Sequence, residues 1–290
     1  MTIPSAQRSA QLRRLLADHV VVMPGAFNAL SARMIERAGF EGIYLSGAVL
    51  ANSVGGVPDI GLMTLSEARD HAAHIAGATT LPLLADADTG DGGPENAART
   101  VQTLEQAGVS GIHLEDQEFP KRCGHLDGKR LVPVEEMCAK IAAAVAAKVS
   151  PDFLVIARTD AHGVVGYDEA VRRAHAYLDA GADGIFPEAL PGREELARFA
   201  GDVKTILLAN MTEFGKTEYL SADEFGAMGY SMVIFPVTLQ RIAMKAVEEA
   251  LGVLKAERSQ RALLDRMQTR QALYELLGYE ADAPPHGERR

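Results

Sequence analysis

Residues 107–116, AGVSGIHLED, decide the fold. An Ala-Gly pair suits a helix C-terminus, where glycine takes up a left-handed conformation that costs other residues more. Within a few residues an apolar run (Gly111, Ile112, Leu114) begins, and it ends in two carboxylates, Glu115 and Asp116. The same order recurs as AGFEGIYLSG (38–47), AGADGIFPEA (180–189) and MGYSMVIFP (228–236). Such runs suit strands buried on both faces, as in a parallel sheet. Further candidate strands lie between them at 20–24 (VVVMP), 81–86 (LPLLAD), 153–158 (FLVIAR) and 205–210 (TILLAN).

Eight strands are therefore expected, starting near residues 20, 42, 81, 111, 153, 184, 205 and 231. Helix-patterned segments at 28–38, 66–77, 94–107, 134–148, 168–180, 193–200 and 221–228 separate most of them. This alternation predicts an α/β fold, a (β/α)₈ TIM-type barrel, and one domain over 1–290. A doubly wound open sheet is the alternative, but no GxGxxG follows the first strand. From 237 to 280 the chain reads as a C-terminal helical extension, with helices at 238–256 and 259–278, and 281–290 reads as a tail. A barrel needs only one closing helix. The second carries an apolar face (Leu263, Leu264, Met267, Leu273, Leu276, Leu277) suited to a neighbouring subunit.

A net charge of −10 argues against nucleic acid as a partner. It does not exclude an anionic substrate, because local arginines or a metal reverse the sign within a pocket. The two cysteines, Cys123 and Cys138, form no CxxC pair, which excludes a cysteine zinc site and points to a reducing compartment. No apolar run is long enough for a spanning helix, so no membrane is expected. Arg8, Arg13 and Arg14 before the first acid, Asp18, have the composition of a transit peptide. Leu12, Leu15 and Leu16 at helical spacing fit a first helix packed on the domain better, and a cytoplasmic location is expected.

The C-terminal strand ends carry Tyr44 and Ser46; Asp86 and Asp88; Glu115 and Asp116; Arg158 and Asp160; Glu188; Asn210 and Thr212. In a barrel these ends converge on one mouth, where this fold keeps its catalytic groups. Asp86 and Asp88, two apart, face the same side of a continuing strand and repel unless a proton or cation intervenes. Hard oxygen ligands in small number suit magnesium, and manganese fits as well; Glu115 and Glu188 are placed to hold its waters. A hydrogen-bonded turn is the competing reading of Asp-x-Asp before glycine. Arg158 and Arg241 offer forks for carboxylates, which together with a metal suggests a small di- or tricarboxylate. Arg158 as a plain ion-pair partner of Asp160 or Glu188 competes. The loop after the fourth strand sets Cys123 among Lys121, Arg122, His125, Lys129 and Arg130. Neighbouring cations are expected to lower a thiol's pKa, which fits proton donor, base or nucleophile; a solvated basic loop is the plainer alternative.

IYLSG (43–47), VPDIG (57–61), LPLLADADTG (81–90), LEDQ (114–117), KRCGH (121–125), PDFLVIARTDA (151–161), FPEA (186–189), LLANMTEFG (207–215) and MQTR (267–270) together resemble the isocitrate lyase and phosphoenolpyruvate mutase superfamily. KRCGH places the resemblance in its lyase branch. The resemblance implies a barrel whose terminal helix is exchanged between subunits of a homotetramer. It implies magnesium at Asp86 and Asp88, with Asp59 and Glu115 helping through water. Substrate contacts carry over to Ser46, Gly47, Ala48, Cys123, Gly124, Arg158, Glu188, Asn210, Met211, Thr212, Arg241 and Arg270. Some members have glycine where Ala48 stands. Phe186, Ile234 and Pro236 lie where the family shapes an alkyl pocket, and these apolar choices suit a methyl-bearing substrate.

The expected reaction is retro-Claisen cleavage of 2-methylisocitrate to pyruvate and succinate, a step of propionate catabolism. Cys123 is the expected general acid, Arg122 and His125 tune the thiol, and Tyr44 is the candidate base. Lyases for 2,3-dimethylmalate or isocitrate, or an oxaloacetate decarboxylase, are the alternatives within the superfamily. A non-catalytic barrel binding an anion through its basic loop is the alternative of another class. A Schiff-base aldolase is excluded, because no lysine ends any of the eight strands.

Overall fold

The eight strands form at Val21–Pro24 (β1), Ile43–Leu45 (β2), Leu83–Asp86 (β3), Gly111–Glu115 (β4), Leu154–Thr159 (β5), Gly184–Pro187 (β6), Ile206–Asn210 (β7) and Met232–Phe235 (β8). They appear in a computed structural model that describes residues 3–279. All seven pairings are parallel, in the order β1-β8-β7-β6-β5-β4-β3-β2, and a parallel bridge between Gly25 and Tyr44 joins the two ends. The sheet is thus a (β/α)₈ barrel, and the open doubly wound alternative falls. Helices at Ala29–Arg37, Leu65–Ala78, Pro94–Gln106, Val134–Ala147, Tyr167–Asp179, Arg193–Asp202 and Ala222–Met228 lie between the strands, each within a few residues of its expected place. The repeated glycines do what the pattern implies: Gly39, Gly108, Gly181 and Gly229 have φ of 87°, 96°, 103° and 103°.

Strand side chains alternate between two cores. Ile43, Leu83, Ala85, Ile112, Leu114, Val155, Ala157, Ile185, Leu207 and Val233 face the helices. Val21, Met23, Tyr44, Leu84, Leu154, Ile156, Phe186, Leu208, Met232 and Ile234 fill the barrel, with Leu12 among them. Leu12 comes from a helix, Ser5–Asp18, which precedes β1. Arg8 of that helix is 1% exposed and donates to the carbonyls of Ala76 (2.6 Å), Thr79 (2.7 Å) and Leu81 (3.4 Å). It therefore satisfies the C-terminal end of Leu65–Ala78 and complements the negative end of that helix. Arg13 pairs with Asp183 at 2.6 Å. Arg8 and Arg13 thus have structural partners. Arg8→Met leaves buried carbonyls unpaired and is expected to cost about 2–4 kcal/mol in urea unfolding. A loss below about 0.5 kcal/mol contradicts this account of Arg8.

Two short elements follow β2, a helical turn at Gly47–Leu50 and a π-turn at Ala51–Gly55. The chain divides into two compact units, one up to Gln240 and one from Arg241 onward, a boundary inside the expected 237–280 extension. The expected tail, 281–290, lies outside the described residues. The helix Thr238–Glu257 runs into the second unit. The expected single helix 259–278 is instead a 3₁₀ turn, Arg261–Arg266, and a helix, Arg270–Leu277. Thr269 causes the break, since its hydroxyl accepts from Ala272 N at 3.1 Å and starts a new helix. Among the described residues no helix is long and apolar enough to cross a membrane.

Candidate active site

Alternation along the strands sends one set of side chains into the barrel and upward to its mouth. On β4 the inward set is 111, 113 and 115; on β5 it is 154, 156 and 158. His113, Glu115 and Arg158 therefore join Tyr44, Asp86, Glu188 and Asn210. Asp116 has the opposite parity. It accepts from Thr159 Oγ1 (2.8 Å), Asp160 N (2.8 Å), Tyr177 OH (2.8 Å) and Arg173 Nη1 (3.1 Å), outside the mouth. Glu115 and Asp116, adjacent in sequence, serve different layers.

At β3 the two aspartates converge. Gly47 N donates to Asp86 Oδ2 at 3.2 Å and Asp88 N to Asp86 Oδ1 at 3.0 Å. Burial pushes the Asp86 carboxyl up, but His113 beside it, the cations Lys121 and Arg158 and the Asp88 N–H together outweigh it and hold it below the usual range. Asp88 goes the other way, raised to about 6 by burial and then by the Asp86 charge. Lys121 ion-pairs with Asp88 at 2.8 Å and with Asp59. Burial alone lowers its ammonium's pKa, but the charges of Asp88, Glu115, Asp86 and Asp59 outweigh that and hold it firmly protonated. The space above the aspartates depends on Gly47: a Cβ there lies 2.9 Å from Asp86 Oδ2 and 3.2 Å from Asp88 Oδ1. Ser46 caps the turn that begins at Gly47, accepting from Val49 N at 3.4 Å, and Ala48 is half-buried in it.

Tyr44 and His113 are the polar pair below. The Tyr44 hydroxyl lies 2.7 Å from His113 Nε2, and His113 Nδ1 lies 3.7 Å from Asp86 Oδ1. Burial, then the Asp86 charge, pushes the phenol well above its usual range, and burial lowers the imidazole to about 4. A phenol that keeps its proton and a neutral imidazole fit Tyr44 as donor to Nε2.

Arg158 is held by three carboxylates, Asp160 (2.9 Å), Glu115 (3.3 Å) and Glu188 (3.3 Å), and lies over the Phe186 ring at 5.2 Å. Arg158 thus makes the ion pairs of the competing reading, to Asp160 and Glu188, and a third to Glu115. Glu188, fully buried, is nonetheless kept ionised by Arg158 and His125. Glu115, equally buried, is pushed well above the carboxylate range in spite of Arg158. Glu115 Oε1 and Asn210 Oδ1 are buried and make no hydrogen bond within the protein. Asn210 Nδ2 reaches Glu188 Oε1 at 3.5 Å.

The 118–133 loop lies folded onto this mouth. His125 Nε2 is 2.9 Å from Glu188 Oε1, and Lys129 pairs with Asp160 at 2.8 Å. Gly124 is packed so closely that a Cβ meets Arg158 Nη2 at 2.3 Å and Glu188 Cγ at 2.5 Å. The second support comes from the β7 loop, where Lys216 N donates to His125 Nδ1 at 3.0 Å. That bond makes Nδ1 an acceptor and places the ring proton on Nε2, toward Glu188. Two expectations about the loop need correction. The Cys123 thiol is pushed up, not down: burial dominates, and the nearby Asp59 and Glu188 charges add to it against Arg158. The Arg122 guanidinium points away, donating to Asp127 O at 3.2 Å from an exposed position, so it does not tune the thiol. A protonated thiol suits a proton donor better than a nucleophile.

The remaining expected contacts are spread. Met211 is buried, its sulfur accepting from Leu220 N at 3.3 Å, and Thr212 is half-buried at the start of the β7 loop. Arg241 and Arg270 belong to the second unit, near the starts of Thr238–Glu257 and Arg270–Leu277. Three side chains were not singled out from sequence for the mouth: His113, and Lys121 and Lys129 as counter-ions of named carboxylates. The available signal for His113 was parity, since it shares the inward register of Glu115 in an otherwise apolar strand.

The model of the phosphoenolpyruvate phosphomutase family matches residues 12–254. A probable 2-methylisocitrate lyase of Corynebacterium glutamicum is 56% identical over 275 residues, covering 94% of this chain and 90% of that protein. Among solved structures, 2,3-dimethylmalate lyase superposes with a TM-score of 0.89 at 40% identity, covering 96% of this chain and 93% of that one. Phosphonopyruvate hydrolase in complex with oxalate and Mg²⁺ gives 0.83 at 32%, covering 95% of each chain.

Proposed function

The chain belongs to the phosphoenolpyruvate phosphomutase family, and from that premise we propose that it is a magnesium-dependent 2-methylisocitrate lyase. The carrying observation is a protonated thiol on a loop pinned to Arg158 and Glu188, above a pair of repelling aspartates.

The residues fit a divalent cation. Gly47 leaves room where a Cβ would crowd both carboxylates, and Glu115 Oε1 is buried without a hydrogen bond. Among the described residues no three or more His, Cys, Asp or Glu side chains converge as a complete cage. Few protein ligands, all oxygen, is the habit of magnesium or manganese completed by water and substrate. Asp86 and Asp88 hold the ion on this reading, with Asp59 and Glu115 acting through water. When bound, the ion supplies Lewis-acid stabilisation of charge on the oxygens of the departing keto acid.

The chain's own residues do the rest. Tyr44 takes the proton of the substrate hydroxyl as its own phenol proton passes to His113 Nε2; the adjacent carbon–carbon bond then breaks, leaving its electron pair on the succinate carbon. Arg158, Asn210, Ser46, Gly47 and Ala48 line the carboxylate-binding mouth, with Met211 and Thr212 following at the start of the β7 loop. The forming succinate carries an extra charge, and Cys123 delivers the proton to its carbon. Lys121 and Arg158, rather than Arg122, offset that charge, while His125 and Glu188 hold the loop in place. The apolar residues exposed on the second unit's long helix (Ile242, Val247, Leu251, Leu254) support a homotetramer. Two free cysteines suit a reducing compartment such as the cytoplasm, the Arg158 fork suits a small tricarboxylate, and the net charge of −10 disfavours nucleic acid.

Oxo-acid release with magnesium tests this reading, followed as pyruvate from 2-methylisocitrate, 2,3-dimethylmalate and oxaloacetate and as glyoxylate from isocitrate. The first is expected to exceed each of the others by about tenfold or more in kcat/KM, the scale on which an apolar pocket discriminates methyl groups. Preference for another of the four overturns the named substrate but keeps the reaction class.

A further inference from the structure

Gln117 has no part in the chemistry described so far, yet its side chain is spent entirely on the loop. It is 1% exposed, its Nε2 donates to Arg122 O at 2.9 Å, and its Oε1 accepts from Arg122 N at 2.9 Å. Both main-chain groups of the residue before Cys123 are thus paired with one amide. The same residue sits at the loop's neck, where its main chain bridges Leu131. Glu118 N donates to Arg130 O at 2.8 Å and Val132 N to Asp116 O at 3.0 Å. The neck is a short two-stranded ribbon, and the Gln117 amide reaches across the turn that leaves it.

The other tethers of the loop differ in kind. Lys121, His125 and Lys129 are held by Asp59, Asp88, Glu188 and Asp160. Those carboxylates exchange partners when an anionic substrate and a cation enter. The Gln117 clamp is neutral, buried and internal to the loop, so it persists through that exchange. Only an amide can fill it: the pairing needs one donor and one acceptor side by side. A carboxylate keeps the bond from Arg122 N but sets an oxygen against Arg122 O.

We infer that Gln117 is a positioning residue, which sets the thiol of Cys123 over the mouth by fixing the main chain of Arg122. For its activity readout the inference rests on the lyase reading; its thiol readout does not. The test uses the full-length chain and the variants Gln117→Leu, which removes both bonds, and Gln117→Glu, which removes one. Cys123 alkylation by iodoacetamide is mapped by mass spectrometry with Cys138 as internal reference. In Gln117→Leu it is expected to rise about tenfold, because release of the clamp frees the half-buried thiol further to solvent. In the same variant kcat for 2-methylisocitrate with magnesium is expected to fall about 30-fold, a misplacement effect, with KM little changed. Gln117→Glu is expected between the two, which also covers the case in which Gln117→Leu fails to fold. A Cys123 alkylation rate equal to wild type in either folded variant overturns the inference. Should wild type release an oxo acid (pyruvate, or glyoxylate from isocitrate) from none of the four substrates, the lyase reading fails and the alkylation rates alone decide on Gln117.

Discussion

Cys123→Ser is expected to lower pyruvate release from 2-methylisocitrate by about a thousandfold or more, within the range of a lost general acid. Magnesium binding, measured by calorimetry, is expected to stay within about twofold, because Asp86 and Asp88 are untouched. Burial and the charges of Asp59 and Glu188 keep the thiol protonated, so wild type carries a proton ready for transfer. The serine hydroxyl is of similar size but a far weaker acid, and no other acid replaces it: His125 directs its ring proton to Glu188. Lys121 is held by two aspartates. Activity within about tenfold of wild type in this variant rules out Cys123 as the proton donor.

Gly124→Ala is expected to cost about a hundredfold in kcat/KM, the effect of moving reacting groups by about an ångström. The added methyl meets Arg158 Nη2 at 2.3 Å and Glu188 Cγ at 2.5 Å, and both groups are buried in an ion-pair network. Overpacking of this kind costs about 1–3 kcal/mol where it cannot relax. Here it relaxes by lifting the loop, since Leu126, Asp127 and Gly128 beyond it are exposed. The melting temperature is therefore expected to shift by only a few degrees while activity falls, because about 1 kcal/mol moves a domain of this size by roughly 2–4 °C. A variant that keeps half of wild-type kcat/KM shows that the loop need not close on Arg158 and Glu188.

The barrel was legible because its signals are local and repeated. Glycine at the helix end, an apolar run and a polar terminus can be read at 38–47, 107–116 and 180–189 without knowing what packs where. The mouth was legible for the same reason, as far as strand ends alone define it. What escaped depends on contacts between distant segments. That Arg122 turns outward while Lys121 turns inward is decided by Asp59 and Asp88, which meet the loop only after folding. The thiol's upward shift follows from burial, which a basic local sequence does not reveal. Asp116 was separable from Glu115 by strand parity alone, a signal present in the sequence. The break before Arg270 was likewise written there, in Thr269.

The helix at Ser5–Asp18 has one more consequence, for the order in which the chain assembles. It precedes all eight strands in the chain, yet its partners come late: Ala76, Thr79 and Leu81 for Arg8, Val109 for Ser5, and Asp152 and Asp183 for Arg13. Contacts of that sequence separation carry a loop-closure penalty that only other contacts offset. This helix therefore waits until the chain has reached β6 before its full set of partners exists. Its docking joins the β3 and β5–β6 parts of the barrel, so a segment ahead of β1 acts as the fastener of a nearly finished barrel.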